Sequence, residues 1–215
     1  MGFWGDFGKI ILREAEKSYK KKREELKRQE EQEQATATFD SMEEMVQAAE
    51  NGNIDAIEEL ATISLSQMDF DEAVYWGRKG AIVQNAWCMH VLGEVAFHQR
   101  DFYTAEQWFT RNININAYPL SAVELGTIYL NLQEIPEVRT DIDRAEYYFQ
   151  LALKWDSSNP EAAYGLITCM LAKEEYGDDP EYLRSLLKLA CRSENHEIKE
   201  QAREMLNDLE SAMRS

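Results

Sequence analysis

The sequence predicts an all-α chain, a solenoid of antiparallel helix pairs preceded by a charged N-terminal helix. Three observations predict it. The 215 residues contain only ten glycines and four prolines, about half the ordinary share, so few breakers interrupt long helices. The hydrophobic fraction is 44 % and aromatics are 11 %, enough to bury a core and too much for a disordered chain. Most telling, the chain repeats itself at a fixed period from Asp55 onward.

The N-terminal segment, residues 1–35, holds nine basic and eight acidic side chains and is almost neutral. Its Glu, Lys, Arg and Gln favour a helix over about Asp6–Gln34. Glu16 with Lys20 and Glu24 with Arg28 are well-oriented pairs four residues apart. Apolar residues gather at the start, as Phe3, Trp4, Phe7, Ile10 and Ile11. The later half has too few to make a coiled-coil seam. The expectation is a solvated rod with an aromatic tip, which forms a second contact surface. Three destinations fit the tip: the chain's own repeats, a partner or second copy, or a membrane interface with Lys9, Arg13 and Lys17 at the headgroups. The polar stretch Ala35–Thr38 separates this rod from a second domain, residues 36–215.

Ser41 followed by Glu44 signals a helix start, which predicts a helix near Ser41–Glu50. The repeats follow. Unit one reads Ala56-xxx-Leu60-Ala61, then Phe70-xx-Ala73-xx-Trp76-xxx-Gly80. Unit two reads Cys88-xxx-Leu92-Gly93, then Phe102-xx-Ala105-xx-Trp108-xxx-Asn112, every position 32 residues on. Unit three reads Ser121-xxx-Leu125-Gly126, then Ile142-xx-Ala145-xx-Tyr148-xxx-Ala152. It carries about seven extra residues within Gln133–Thr140. A weaker fourth unit runs from Ala162-xxx-Leu166 to Ala190.

Each unit is a pair of amphipathic helices. Leu on the first and an aromatic on the second read as core, so Trp76, Trp108 and Tyr148 are expected inside. Small residues let the two helices approach. One pair cannot bury its apolar face alone, but a stack can. The predicted pairs are 54–66/71–83, 86–99/102–114, 119–132/141–155 and 160–174/180–192, with a capping helix over 195–213.

The Leu-Gly step and the Ala-xx-aromatic-xxx-small step resemble the tetratricopeptide repeat and its relative, the Sel-one-like repeat. Val138-xx-Asp141-xx-Arg144-Ala145-xx-Tyr148-xxx-Ala152 resembles the Sel-one-like second helix. Asn159-Pro160-Glu161-Ala162 is similar to a tetratricopeptide helix start. The resemblance covers about Ser41–Ser193; unit one departs from it with Ala61 and unit four at Leu183. It implies a right-handed superhelix whose first helices line a concave face that binds other proteins.

Carried over by position, that face has Trp87, His90, Glu94, Phe97 and His98 in unit two. The candidate partner-binding residues are Trp87, His90, Glu94, His98, Asn131 and Tyr164. A Trp with two His exposed in a groove would suit a binding hot spot. Burial of Trp87 and Phe97 against a neighbouring helix is the other reading.

Charge narrows the partner. With 40 acidic and 23 basic residues the formal net charge is −17, all of it outside residues 1–35. A nucleic-acid binder needs a basic face, so the expected partner is a protein with a basic surface. No nucleotide loop, metalloprotease motif, nucleophile elbow or dinucleotide fingerprint occurs. No catalytic residues, cofactor or metal are expected; His90 and His98 lie ~12 Å apart along a helix, too far for one metal. Cys88, Cys169 and Cys191 lack paired spacing and read as reduced thiols of a cytoplasmic protein. No apolar run approaches the ~18 residues of a spanning helix, and no secretory signal stands at the start. The expected function is a non-enzymatic adaptor, such as an assembly subunit or an inhibitor that neutralises a basic protein. A membrane-recruited scaffold and an unrecognised enzyme are the alternatives.

Overall fold

The computed structural model describes residues 39, 41–130, 140–174 and 179–213, and every regular element among them is an α-helix. The chain divides into two compact units, Met1–Asn51 and Gly52–Ser215. In the first, helix α1 (Met42–Glu50) starts where the Ser41 hydroxyl accepts from the Glu44 amide at 3.1 Å. The aromatic tip and the rod lie outside the described residues.

The second unit contains α2 (Ile54–Ser66), α3 (Phe70–Ile82), α4 (Ala86–His98), α5 (Phe102–Asn116), α6 (Pro119–Leu130), α7 (Ile142–Trp155), α8 (Pro160–Ala172), α9 (Pro180–Ala190) and α10 (His196–Ala212). These are the predicted pairs and capping helix, with ends within two residues of expectation. The insertion of unit three falls outside the described residues, Thr140 excepted.

Side-chain caps start the helices, and they alternate in chemistry. Asn53, Asn85, Asn159 and Asn195 cap α2, α4, α8 and α10. Asp69, Asp101, Asp141 and Asp179 cap α3, α5, α7 and α9. A carboxylate suits an exposed N-terminus, where the helix dipole favours negative charge. Burial penalises a charge far more than a hydrogen-bonded amide, and Asn159 is only 5 % exposed. An amide can also donate: Asn85 Nδ2 bonds Glu58 Oε1 on the preceding even-numbered helix.

Helix ends explain the shortage of glycine. Met68, Gln84, Arg100, Ala117 and Glu174 all have positive φ, between 50° and 62°. The chain reverses there on ordinary residues. At Arg100, its amide donates to Phe97 O and that of Asp101 to Ala96 O, both at 2.9 Å. These bonds satisfy carbonyls left over by α4.

Packing separates two layers. Each even-numbered helix from α2 to α8 packs closely on the next even-numbered one, whereas among the described residues the backbones of the odd-numbered helices α3 to α9 stay farther apart. The even layer is therefore the tighter, concave side, and the odd helices splay along the convex side. The main core runs through the pairs from Ala96 to Ala202, and α10 closes it with Ala202 buried and Met205, Leu206 and Leu209 packed against it.

The aromatic knobs differ in part from expectation. Trp76 and Tyr148 are buried, but Trp108 is half-exposed, with Arg111 5.4 Å over its ring. The fully buried ring of unit two is Phe109, one residue on, and Phe149 holds the same position in unit three. Phe109 fills the space that Gly93 leaves, and Phe149 fits between Gly126 and Gly165. Unit one has Gly77 at the Phe109 position. A facing glycine is then unnecessary, which accounts for Ala61.

Candidate functional site

The two layers differ in charge. Helices α2, α4, α6 and α8 contain no Lys or Arg, and they carry Asp55, Glu58, Glu59, Glu94, Glu124 and Glu161. The odd helices α3, α5, α7 and α9 hold Arg78, Lys79, Arg111, Arg144, Lys154, Arg184 and Lys188. Two inner carboxylates meet neutral donors, Glu58 the amide of Asn85 and Glu161 the hydroxyl of Ser193.

The predicted residues of α4 come together with parts of α2 and α6. Trp87 is half-buried, and its Nε1 donates to Thr62 Oγ1 on α2 at 2.7 Å. Its ring lies 5.5 Å from that of His90. Trp87 thus ties two inner helices and still presents surface.

His90 departs from expectation. It is 6 % exposed and enclosed by the rings of Trp87, Phe109 and Tyr118. Burial pushes its pKa down to about 4, so it is neutral at pH 7. Its Nδ1 lies 3.2 Å from Ser121 Oγ, which accepts from Asn112 Nδ2 at 2.8 Å. The His90 Nε2 is 3.7 Å from Glu94 Oε1. His90 is too enclosed to touch a partner directly; it positions α4 against α6.

Glu94 stands half-buried between His90 and His98, whose Nε2 lies 3.9 Å away. Burial raises its pKa, and His98 partly offsets this. His98 itself is exposed and stacks on Phe70 at 5.8 Å. Phe97 is half-buried, edge-on to Phe102.

Two residues that sequence reasoning passed over complete the cluster. Tyr118, half-buried, sits just before α6 with its ring 5.6 Å from His90. Glu124 on α6 has its pKa raised to about 8, by burial first and the Glu94 charge second. No hydrogen bond or ion pair to Glu124 occurs among the described residues. Its position, one before the repeat Leu125, is Glu59, Val91 or Gly165 in the other units. The repeat gave no signal there; the absence of a cation from four successive first helices would have been one.

Tyr164 lies apart. It is half-buried on α8, with α6 between it and α4, and its hydroxyl bonds Gln201 on α10. Asn131, Phe3, Trp4, Phe7, Ile10 and Ile11 are outside the described residues. A cavity of about 810 Å³ opens elsewhere, beside Phe102, Glu106, Tyr129, Asp141, Arg144 and Lys173. Its charges are engaged: Tyr129 donates to Glu106, Arg144 lies 4.2 Å over the Tyr129 ring, and Lys173 bridges Asp143 and Glu146. Burial pushes the thiols of Cys88 and Cys169 up to about 12, leaving them protonated and weakly nucleophilic.

Solved structures share this architecture. A crystal structure of a Sel1 repeat protein from Oxalobacter formigenes superposes with a TM-score of 0.56 at 18 % identity, over 75 % of this chain and 47 % of that one. The chain has the tetratricopeptide-like, Sel1-like repeat fold. The crystal structure of MamA shares it too, with a TM-score of 0.52 at 17 % identity, over 67 % of this chain and 82 % of that one. At these identities the likeness is one of fold. This chain spans about half the length of the Sel1 repeat protein. No family model matches the sequence, and no curated protein matches it. No helix among the described residues is long and apolar enough to cross a membrane. In this chain the first helices of the pairs bear the six carboxylates and the Trp87 ring.

Proposed function

We propose that this chain is a protein–protein interaction adaptor whose concave face holds a segment of a partner with a basic surface. The observation that carries this reading is the charge division between layers: four inner helices without a cation and six carboxylates upon them. Complementary charge speeds encounter and selects partners. Trp87 and Tyr118 supply aromatic surface of the kind that anchors interfaces. An assembly subunit and an inhibitor of a basic protein both use such a face. The same charge repels nucleic acid.

A photo-crosslinking residue tests it. Placed at Thr127, exposed on α6, it should capture a discrete protein partner; placed at Gln107, exposed on α5, it should not. Capture from Gln107 alone would place the binding surface on the convex side and defeat the proposal.

A further inference from the structure

A groove of the opposite charge preference lies among the outer helices. It runs between α7 and α9, the second helices of units three and four, and holds about 440 Å³. Leu153 of α7 and Tyr182, Leu186 and Leu189 of α9 give it an apolar lining. Helix α8 packs against both α7 and α9, whose own backbones stay apart. The groove is the gap that this spacing leaves. Tyr182 is 45 % exposed, and Leu153 and Leu189 are half-buried, so apolar surface remains open there.

Two cations complete the lining, Lys188 in the last turn of α9 and Arg192 just beyond it. Both are exposed, and neither side chain makes a hydrogen bond, ion pair or ring contact among the described residues. No carboxylate of the described residues lines the groove. The hollows on α3 and α5 differ. Asp71 accompanies Arg78 and Lys79 on α3, and Lys79 lies over the rings of Tyr75 and Trp76. Glu106 accompanies Arg111 on α5, and Arg111 lies over the Trp108 ring.

An apolar groove edged by free cations alone is complementary to an acidic ligand, not a basic one. Its length points to the form of that ligand. From Tyr182 to Arg192 it follows about three helical turns, ~15 Å. That length suits the apolar stripe of an amphipathic helix laid in a groove. An extended segment would instead bring unpaired backbone groups onto the apolar lining.

We infer that the groove between α7 and α9 docks an acidic amphipathic helix of another protein. Its aliphatic side chains lie against Leu153, Tyr182 and Leu189, and its carboxylates meet Lys188 and Arg192. This surface is separate from the inner helices and selects for the opposite charge, so the chain can join two different partners.

Two labelled helical peptides provide the probe. Both have leucines at positions i, i+3, i+4 and i+7; the flanking positions are Glu in one and Gln in the other. Binding to the full chain is read by fluorescence anisotropy in 0.15 M salt, where charges beyond about 8 Å are largely screened. The Glu peptide should bind about tenfold more tightly than the Gln peptide. Lys188→Gln combined with Arg192→Gln should erase that preference. Arg78→Gln combined with Arg111→Gln, which removes equal charge from α3 and α5, should leave it intact. Tyr182→Ala should weaken both peptides alike. Circular dichroism melts confirm that each variant is folded. Equal affinity for the two peptides overturns the inference, as does an equal loss of preference in the α3 and α5 variant. Flotation with phosphatidylserine–phosphatidylcholine vesicles and sedimentation velocity, on the parent and the Lys188→Gln, Arg192→Gln chain, decide the other occupants. Vesicle binding that the variant loses would make the occupant a membrane, and a dimer that it loses would make it a second copy; either result overturns the inference.

Discussion

Phe109 occupies the space where a side chain on Gly93 would stand. A Cβ added at Gly93 would lie 2.3 Å from Phe109 Cε1. The contact joins the two helices of unit two, α4 and α5. Phe109 is fully buried, so its ring cannot swing into solvent. Gly93→Ala should therefore destabilise the fold by about 2 kcal/mol, within the range for overpacked cores. Phe109→Leu in the same chain should return part of that loss, because the smaller side chain frees the space. Urea unfolding of the two single variants and the double variant checks the coupling; simple additivity would show that the contact does not set the spacing.

Asn112 gives a second, polar constraint. It is wholly buried at the position that is Gly80 in unit one and Ala152 in unit three. Its Nδ2 donates to Ala86 O at 2.9 Å and to Ser121 Oγ at 2.8 Å, while its Oδ1 accepts from Asn116. Asn112→Ala removes three hydrogen bonds from a wholly buried side chain and should cost about 2–4 kcal/mol. Ser121→Ala should cost less, since it removes one node. Chemical denaturation ranks the two; a larger effect at Ser121 would contradict this arrangement.

The fold was legible because the 32-residue register repeats Leu, Ala and an aromatic at fixed helical spacing. Those residues report the apolar faces, and the boundaries follow from them. The site was less so. His90 occupies a position that the register assigns to the groove, yet Trp87, Phe109 and Tyr118 close over it. Periodicity says which face a residue is on, not how large its neighbours are. Glu124 escaped for a related reason: its burial depends on the packing of α6 against its neighbours, which no spacing within α6 encodes. Composition was misleading in one respect. Scarce glycine suggested uninterrupted helices, whereas sharp reversals occur on Met68, Gln84, Arg100, Ala117 and Glu174.

Those reversals can be improved. Ala117 ends α5 with φ of 50°, a conformation that strains any residue with a Cβ. Ala117→Gly removes the strain but raises the entropy of the unfolded chain. The first effect, roughly 1 kcal/mol, should exceed the second, and a net gain of about 0.5 kcal/mol is expected. A melting temperature a few degrees higher than that of the parent would confirm it, and a lower one would refute it.

His90 and Glu124 should make stability depend on pH from opposite sides. The folded-state pKa of His90 is lowered from 6.5 to about 4 by burial. Its contribution is complete above pH 6.5 and is lost as the pH falls through about 4, because the unfolded chain takes up the proton first. The folded-state pKa of Glu124 is raised from 4.5 to about 8. Its contribution is complete below pH 4.5 and is lost as the pH rises through about 8, where the folded protein must hold a buried charge beside Glu94. Each limb has a slope of at most about 1.4 kcal/mol per pH unit. Unfolding free energies measured from pH 4 to pH 9 should show both limbs. Glu124→Gln should flatten the alkaline limb and stabilise the protein at pH 8, while leaving the acid limb in place. An alkaline limb unchanged in Glu124→Gln would mean that this carboxylate is not held against its preference in the folded state.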